Sequence, residues 1–313
     1  MSSIAFVFPG QASQYPGMGK ELYESYPEAR QAFLEAGAAL GFSISTLCFE
    51  GPEEKLKLTE NTQPAILTVS VAAHRVLAAR GIRPRFVAGH SLGEYSALVA
   101  AGSLSLAEAV CIVRNRGKYM QEAVPVGEGA MAALLGLGQA EVETLCREAA
   151  QGEVLSAANL NSPVQFVIAG STRAVNRAVE LAPSRGAKKA VRLPVSAPFH
   201  CALMKPAERR LEEYLNLVEF RDPLVPLVNN AEARLLTVGA EIRASLVRQV
   251  CSPVRWTETI RLLAEQQVRL LVEIGPGRVL SRLIRQVDKG LKLANVEDPK
   301  SLQATLEALS QIA

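Results

Sequence analysis

The segment Gly-His-Ser-Leu-Gly at positions 89–93 constrains the fold more than any other part of the chain. An apolar run at 86–88 precedes it, and a stretch at 94–101 that is typical of a helix follows it. A strand, the pattern Gly-X-Ser-X-Gly and a helix, in this order, predict a nucleophile elbow that presents a serine hydroxyl to a cleft. The first N–H groups of that helix face the same cleft and can stabilise an oxyanion. The pattern therefore indicates acyl transfer through an ester of Ser91, although a chance pairing of two glycines around a serine would look the same.

Length and composition fit one large domain or two unequal ones of a globular enzyme. The chain has 313 residues, of which 49% are hydrophobic and 21% charged. A formal net charge of +3 is too small to favour nucleic acid or an anionic membrane surface. No segment offers the ~20 uninterrupted apolar residues that a membrane span needs. We therefore expect no nucleic-acid partner and no membrane association.

The cysteines and histidines limit the redox and metal chemistry that the chain can perform. The five cysteines are odd in number, far apart and without C-x-x-C spacing, so neither a zinc site nor a disulfide framework is predicted. Three histidines are too few for a His-rich metal site. Reduced thiols are typical of the cytosol. We expect a cytoplasmic protein that is a monomer and needs no metal and no cofactor.

Strands alternate with helices in the first and last thirds of the chain, which predicts a parallel sheet covered on both faces. A helix is expected over 20–40, and another is expected to begin at 61–64, with proline in its first turn. Between 125 and 197 the pattern changes to β-α-β-β-α-β, which is the ferredoxin-like order. We predict an α/β domain of residues 1–124 and 198–313 with an inserted ferredoxin-like subdomain at 125–197.

A serine nucleophile needs a general base, and the chain offers three histidines. His74 lies in the middle of a helical stretch, where a packing or surface role fits best. His90 is adjacent to the serine in a tight turn, so its side chain should point away from the hydroxyl. His200 lies where the inserted subdomain returns the chain to the main domain, and loops at such junctions line clefts. By elimination His200 is the best candidate for the base.

Seven short motifs follow one another along the chain. They lie at 8–14 (Phe-Pro-Gly-Gln-Ala-Ser-Gln), 61–65 (Asn-Thr-Gln-Pro-Ala), 89–94, 116–121 (Arg-Gly-Lys-Tyr-Met-Gln), 158–161 (Ala-Asn-Leu-Asn), 199–200 (Phe-His) and 273–277 (Glu-Ile-Gly-Pro-Gly). In this order they resemble the malonyl-CoA:acyl carrier protein transacylases and the related acyltransferase domains of fatty-acid and polyketide synthases, almost from end to end. The resemblance implies an α/β-hydrolase-like parallel-sheet domain that carries a ferredoxin-like insert. This agrees with the domain and insert that the order of strands and helices predicts.

The resemblance also implies catalytic roles for individual residues. Ser91 is expected to be the nucleophile and His200 the general base. A backbone carbonyl at the position of Gln249 is expected to orient the histidine in place of a carboxylate. The backbone N–H groups of Gln11 and Leu92 are expected to form the oxyanion hole.

A second set of residues is implied for substrate binding. Arg116 matches the family residue that pairs with the malonyl carboxylate, although without the resemblance a surface arginine near a helix end is the simpler interpretation. A guanidinium holds a carboxylate through two parallel hydrogen bonds, which a neutral acetyl group cannot accept. Phe199 matches a position associated with the choice of malonyl over methylmalonyl. Gln63 and Asn159 are implied as polar lining of the acyl pocket and Met120 as an apolar wall.

One position departs from the family pattern. Ala12 stands in the first motif where glycine is often found. If this position requires a positive φ, alanine is strained there.

The reaction implied by the resemblance is a ping-pong transfer. The malonyl group of malonyl-CoA passes to a serine and then to the phosphopantetheine thiol of acyl carrier protein, which supplies fatty acid biosynthesis or, alternatively, polyketide synthesis. A serine esterase or thioesterase would have a triad acid between Ser91 and His200, and no such acid is evident. A docking module without activity would lack Ser91 or His200, and both are present.

Basic residues after the last motif suggest where a partner binds. They are spaced 4, 3, 4 and 3 apart and comprise Arg278, Arg282, Arg285, Lys289 and Lys292. On a helix this spacing places at least the first four on one face. A solvated helix face is one interpretation, and a docking surface for an acidic helix of the carrier protein is the other. Lys188 and Lys189 are expected to form a second part of that surface.

Overall fold

The computed structural model describes residues 3–195 and 197–311. Its strands are β1 (Ile4–Phe8), β2 (Phe86–Gly89), β3 (Gly129–Leu135), β4 (Leu155–Ser162), β5 (Gln165–Ser171), β6 (Lys189–Arg192), β7 (Leu227–Val228), β8 (Leu235–Leu236), β9 (Leu270–Ile274) and β10 (Lys292–Val296). Its α-helices are α1 (Lys20–Ser25), α2 (Pro27–Leu40), α3 (Ile44–Glu50), α4 (Glu53–Leu56), α5 (Thr59–Ala79), α6 (Gly93–Ala100), α7 (Leu106–Glu122), α8 (Gln139–Ala150), α9 (Thr172–Leu181), α10 (Lys205–Leu215), α11 (Gly239–Gln249), α12 (Trp256–Glu265), α13 (Val279–Val287) and α14 (Pro299–Ser310). Short 3₁₀ turns occupy Ala182–Arg185 and Ala202–Met204.

A mainly parallel sheet forms the centre of the larger part of the described chain. Its strand order is β10-β9-β1-β2-β7-β8, and only the β7–β8 pair is antiparallel in the described residues. Apart from Glu273 in β9, the strands β1, β2 and β9 are apolar runs without an exposed residue, as expected when helices cover both faces of a parallel sheet. The predicted α/β architecture is confirmed.

Alternate residues of β1 face opposite sides of this sheet and belong to different cores. Phe6 and Phe8 pack into the larger core with α5 and α7, and Ala5 and Val7 pack into the other core with Trp256. This alternation follows from the period of two in a strand. Both faces of the parallel sheet are therefore buried at β1, the strand that lies beside β2.

The second sheet is antiparallel throughout the described residues and has the order β4-β5-β3-β6. With α8 and α9 its elements follow the predicted β-α-β-β-α-β order. The proposed boundaries at 125 and 197 stay a prediction. Residues 1, 2, 196, 312 and 313, which the predicted domain ranges include, lie outside the described residues.

Two predicted helices differ from the observed ones. The helix expected over 20–40 is broken at Tyr26, which is extended because the α conformation is disfavoured before Pro27. The helix expected to begin at 61–64 begins at Thr59 instead, and Pro64 lies inside it. Asn61 donates to a carbonyl of the preceding turn rather than capping the helix.

No single helix of the described chain is both long and apolar enough to cross a membrane. The helices α2 and α3 meet such a criterion only together, with a bend of 117° between them.

Candidate active site

The predicted elbow is present between β2 and α6. Ser91 has a φ of 52°, the left-handed conformation that lifts its side chain out of the turn. A Cβ on Gly89 would lie 1.9 Å from the main-chain carbon of Gly93, and a Cβ on Gly93 would lie 2.0 Å from the carbonyl oxygen of Phe8. Both glycines are therefore required, because α6 begins directly against the strands.

Ser91 and His200 are in hydrogen-bond contact. The Ser91 Oγ and His200 Nε2 atoms are 2.7 Å apart, and His200 Nδ1 lies 2.9 Å from the main-chain oxygen of Gln249. A carbonyl can only accept, so Nδ1 carries the proton and Nε2 is free to accept the serine proton. Gln249 is the last residue of α11, which places this carbonyl at a helix end with unpaired carbonyls.

The environment of His200 keeps the imidazole neutral. His200 is 3% exposed. Burial and the positive charge of Arg116 lower the pKa of His200 to about 3, although the carbonyl of Gln249 acts in the opposite direction. A neutral imidazole is the form that a general base requires.

The other two histidines do not contact Ser91. Nε2 of His90 lies 2.8 Å from Oδ1 of Asn161, and the His90 ring packs against Trp256. His74 presents its ring to the aromatic rings of β1. His90 therefore points away from the Ser91 hydroxyl, as predicted from its place next to the serine in a tight turn.

Arg116 lies at the base of the same pocket and not on the surface. It is 2% exposed, and its Nη2 donates to Ser91 Oγ over 3.1 Å and to Oε1 of Gln249 over 2.9 Å. Its Nη1 donates to Oε1 of Gln63 over 2.9 Å, while Nε has no hydrogen-bond partner among the residues that the structure describes. Burial lowers the pKa of Arg116, but guanidinium groups stay protonated in proteins. In the described residues no carboxylate forms an ion pair with this buried cation.

One pocket between the two sheets collects the predicted site residues. All of the residues predicted for catalysis and acyl binding except Gln249 line it: Gln11, Gln63, Ser91, Leu92, Arg116, Met120, Asn159, Phe199 and His200. Met131 of β3 and the segment after β6, with Leu193 and Val195, add an apolar wall that the sequence did not predict. Gln249 lies behind the pocket, where its carbonyl faces His200.

The backbone beside the nucleophile suits the binding of an oxyanion. Among the described residues the N–H groups of Gln11 and Leu92 have no hydrogen-bond acceptor, so both are available to a ligand. The neighbouring Ala12 has a φ of 81°, so this loop does adopt the left-handed conformation that glycine would tolerate better.

Comparison with known proteins places the chain in a family. It matches the family described as an acyl transferase domain over residues 5–303. The malonyl CoA-acyl carrier protein transacylase of Bacillus subtilis (strain 168) is 48% identical over 312 residues, which cover 99% of this chain and 98% of the relative. The transacylase of the same name from Escherichia coli (strain K12) is 49% identical over 308 residues, with coverage of 98% and 100%.

The chain belongs to the acyl transferase family.

Solved structures agree with this assignment. An acyl carrier protein S-malonyltransferase from Vibrio cholerae has a TM-score of 0.95 and 47% identity, with coverage of 97% of this acyl transferase and 100% of that chain. A malonyl-transacylase solved in complex with its type II PKS acyl-carrier protein has a TM-score of 0.96 and 48% identity, with coverage of 98% and 100%. The predicted family and fold are confirmed.

Two residues that hold the site of the acyl transferase were given no role by sequence reasoning. Glu94, in the first turn of α6, is buried and accepts hydrogen bonds from Gln249 and from Asn230. Burial raises the pKa of Glu94 to about 7, against the effect of these hydrogen bonds. Asn230 follows β7, the parallel neighbour of β2. The carboxyl ends of neighbouring parallel strands meet, so the position of Asn230 could have been found from that rule.

The basic residues do not form the predicted helix face. The helix α13 spans only Val279–Val287, so Arg282 and Arg285 lie on it while Lys289 and Lys292 do not. Arg278 precedes the helix and lies 3.7 Å from a carboxylate oxygen of Glu297. The prediction of four basic residues on one helix face is wrong because the helix ends after nine residues.

The second basic pair lies at a different edge of the acyl transferase. Lys189 begins β6, with Lys188 immediately before it, at one edge of the antiparallel sheet, whereas α13 contacts β4 at the other edge. Three strand spacings of about 4.8 Å separate the two edges. The structure therefore does not join Lys188 and Lys189 with Arg278 and Arg282 in one patch.

The described residues contain no group of three or more His, Cys, Asp or Glu side chains that could hold a metal ion.

Proposed function

We propose that this acyl transferase moves a malonyl group from malonyl-CoA to the phosphopantetheine thiol of an acyl carrier protein through a malonyl ester of Ser91. The observation that carries the proposal is the buried guanidinium of Arg116, 3.1 Å from the Ser91 hydroxyl and without a carboxylate partner in the described residues. Charged groups are rarely buried unpaired. A substrate whose acyl group ends in a carboxylate supplies the missing anion beside the nucleophile. The names of the relatives support the same donor and acceptor.

The first half-reaction loads the serine. His200 Nε2 takes the Ser91 proton as Oγ attacks the thioester carbonyl carbon and forms the C–O bond. The N–H groups of Gln11 and Leu92 donate to the oxyanion. Collapse of the tetrahedral intermediate breaks the C–S bond, and the CoA thiolate leaves with the proton from His200.

The second half-reaction reverses these steps with a different thiol. The pantetheine S–H of the carrier gives its proton to His200, and the thiolate attacks the ester carbonyl. The C–O bond to Ser91 breaks, and Oγ recovers the proton from Nε2. Throughout both halves the Gln249 carbonyl keeps the ring oriented and stabilises the proton on Nδ1.

The rest of the pocket positions the acyl group. Arg116 is proposed to bind the malonyl carboxylate, with Gln63 holding the other side of the guanidinium. Phe199 and Met120 are proposed to be the apolar walls and Asn159 a polar one. An esterase that uses water is disfavoured because His200 Nδ1 faces a carbonyl where a triad hydrolase has a carboxylate, and because Arg116 is suited to an anionic acyl group.

The docking surface for the carrier and the location of the protein are also proposed. The acidic carrier protein is proposed to dock on the surface formed by Arg278, Arg282 and Arg285, with the edge at Lys188 and Lys189 as the alternative. All five cysteines are free, which supports a cytoplasmic protein. The product is proposed to serve fatty acid biosynthesis, or alternatively polyketide synthesis, and no cofactor is invoked. The monomeric state stays a prediction.

Mass spectrometry of the intact chain after incubation with malonyl-CoA tests the proposal. The wild type is expected to gain one malonyl group, and Ser91→Ala is expected to gain none while retaining its fold. Added carrier protein should remove the group faster than water does. Loss to water at the same rate would identify an esterase, and the absence of any adduct would identify a docking module.

A further inference from the structure

Glu94 carries no role in the reaction described so far, yet it is a fully buried carboxyl at the first turn after the nucleophile. In the described residues it forms no ion pair. Its Oε2 accepts from Nε2 of Gln249 over 2.9 Å and from the main-chain N–H of Asn230 over 3.0 Å. The role of this buried carboxyl group therefore depends on which groups Gln249 and Asn230 keep in place.

Both partners of Glu94 bind the backbone of Ser91. Nε2 of Gln249 donates to the Ser91 carbonyl over 3.0 Å, and the Ser91 N–H donates to Oδ1 of Asn230 over 2.6 Å. Nδ2 of Asn230 donates to the Gly89 carbonyl over 2.6 Å. Because Ser91 is held in a left-handed conformation, its orientation depends on restraints of this kind.

Gln249 extends the same network to the base and to the acyl-binding arginine. Its main-chain oxygen accepts from His200 Nδ1, and its side-chain Oε1 accepts from Arg116. Every polar atom of the Gln249 amide is therefore used, and the acceptor for one of its two N–H groups is Glu94. Removing that acceptor leaves the amide free to rotate away from Ser91 and Arg116.

We infer that Glu94 is a positioning residue, which fixes Gln249 and Asn230 through hydrogen bonds and thereby sets the geometry of Ser91 and His200. The inference rests on the proposed function only for the roles of Ser91 and His200. The alternative role of Glu94 is to compensate the charge of Arg116, because the two charges lie close enough to affect each other's pKa values. The experiment must separate this role from positioning.

Two variants separate the hydrogen-bonding role from the charge. Glu94→Gln keeps the reach and an acceptor oxygen but removes the charge. Glu94→Asp keeps the charge but withdraws the carboxylate by about 1.5 Å, one carbon–carbon bond. If hydrogen bonding positions the site, the Asp variant is impaired and the Gln variant is not.

The readout is the rate at which phenylmethanesulfonyl fluoride modifies Ser91, followed by intact mass. In this reaction Oγ attacks the sulfur, the Oγ–S bond forms as the S–F bond breaks, fluoride leaves, and the serine proton moves to His200. The reaction needs neither malonyl-CoA nor a carrier. We expect Glu94→Asp to react at least about tenfold more slowly, because displacements near 1 Å can cost about 100-fold in such reactions. We expect Glu94→Gln to remain within about threefold of the wild type, because its acceptor is retained.

Glu273→Asp is the matched control. Glu273 is also a buried glutamate, but it accepts from main-chain N–H groups at the start of α13 and has no hydrogen bond to the site. Shortening it should lower the melting temperature without slowing the modification of Ser91. A slow Glu94→Asp beside a normal Glu273→Asp then separates positioning from a general loss of stability.

Other results would overturn the inference. Slow reaction of Glu94→Gln beside a normal rate in Glu94→Asp would show that the charge of Glu94 matters. Equal rates in the two variants would show that the length of the side chain does not matter. If Glu94→Asp does not fold, Gln249→Ala is tested in its place. This variant keeps the main-chain carbonyl that accepts from His200 but loses the side-chain amide, so its Ser91 should react slowly. A wild-type rate in Gln249→Ala would also overturn the inference. Failure of the wild type to react at Ser91 would instead overturn the proposed nucleophile, and with it this role of Glu94.

Discussion

Arg116 is the residue whose surroundings bear most directly on substrate choice. Its guanidinium is buried beside Ser91 and is held by the side-chain oxygens of Gln63 and Gln249, which are neutral acceptors. Neutral acceptors orient a cation without neutralising it, so the positive charge remains available to a carboxylate in the pocket.

Arg116→Ala should therefore reverse the preference between acyl groups. A charge-assisted hydrogen bond contributes roughly 1.5–3 kcal/mol, so loading of Ser91 by malonyl-CoA should fall about 10- to 100-fold. Loading by acetyl-CoA should fall much less, because acetyl has no carboxylate. Initial rates with both donors measure this, with Arg114→Ala as the control, since Arg114 lies on the same helix and donates to the Leu40 carbonyl. Equal losses with both donors would contradict the proposed clamp.

His200 gives a second prediction at the scale of a residue. Only the neutral imidazole accepts the serine proton, and burial together with Arg116 lowers the pKa of His200 to about 3. Protonation of His200 should therefore not slow the acylation of Ser91 as the pH falls through 6.5, the ordinary pKa of histidine. In Arg116→Ala the midpoint should move to higher pH because one of the causes is removed. A wild-type midpoint at 6.5, measured by sulfonylation of Ser91, would show that the imidazole is not held neutral in this way.

The elements that form the elbow could be predicted from sequence, because each leaves a local signal. The apolar run of β2, the two glycines and the helix-forming stretch of α6 lie consecutively in the chain. The break at Pro27 also had a local signal, but it was outweighed by the helical composition on both sides of it. The extent of α13 was missed because basic residues at helical spacing do not show where a helix ends.

The contacts between elements could not be predicted from sequence spacing. Gln249, Asn230 and Glu94 are far apart in the chain and meet only because α11, β7 and α6 converge behind Ser91. The carbonyl of Gln249 was expected from family resemblance alone. The link from its side chain to Arg116 needed the three-dimensional structure.

The helix α13 gives a prediction about carrier binding. Arg282 and Arg285 lie on this helix and are exposed. Arg282→Glu with Arg285→Glu should raise the KM for an acidic carrier protein several-fold at low salt, while loading by malonyl-CoA stays unchanged. Added salt should bring the wild type towards the variant, because it screens exposed charges.

Lys188→Glu with Lys189→Glu is the matched comparison for α13. This pair reverses two charges at the opposite edge of the antiparallel sheet. If this variant loses carrier binding and the α13 variant does not, the docking surface lies at β6. The two half-reactions must be measured separately, since only the second one involves the carrier.

At the scale of the whole molecule, the three histidines pack against other parts of the protein, and this packing makes the fold sensitive to acid. Burial and the nearby charges of Arg83 and Arg75 lower the pKa of His74 to about 4, and burial also lowers the pKa of His90. Together with His200, these groups remain neutral in the folded state at a pH where an unfolded chain binds protons. Glu94 has the opposite effect, because burial raises its pKa to about 7 and the folded state binds that proton first.

Each group therefore makes a contribution of known sign to the free energy of unfolding. Stability contributed by the neutral His200 is complete above pH 6.5 and is lost as the pH falls towards its folded pKa, by about 1.4 kcal/mol per pH unit. Glu94 adds stability as the pH falls from about 7 towards 4.5, its ordinary pKa. Urea unfolding at several pH values from 8 down to 5 should show a shallower loss of stability in His200→Gln than in the wild type, and a steeper one in Glu94→Gln. Parallel curves for the wild type and His200→Gln would mean that the histidine takes up its proton equally in both states, and would contradict the neutral imidazole on which the proposed base depends.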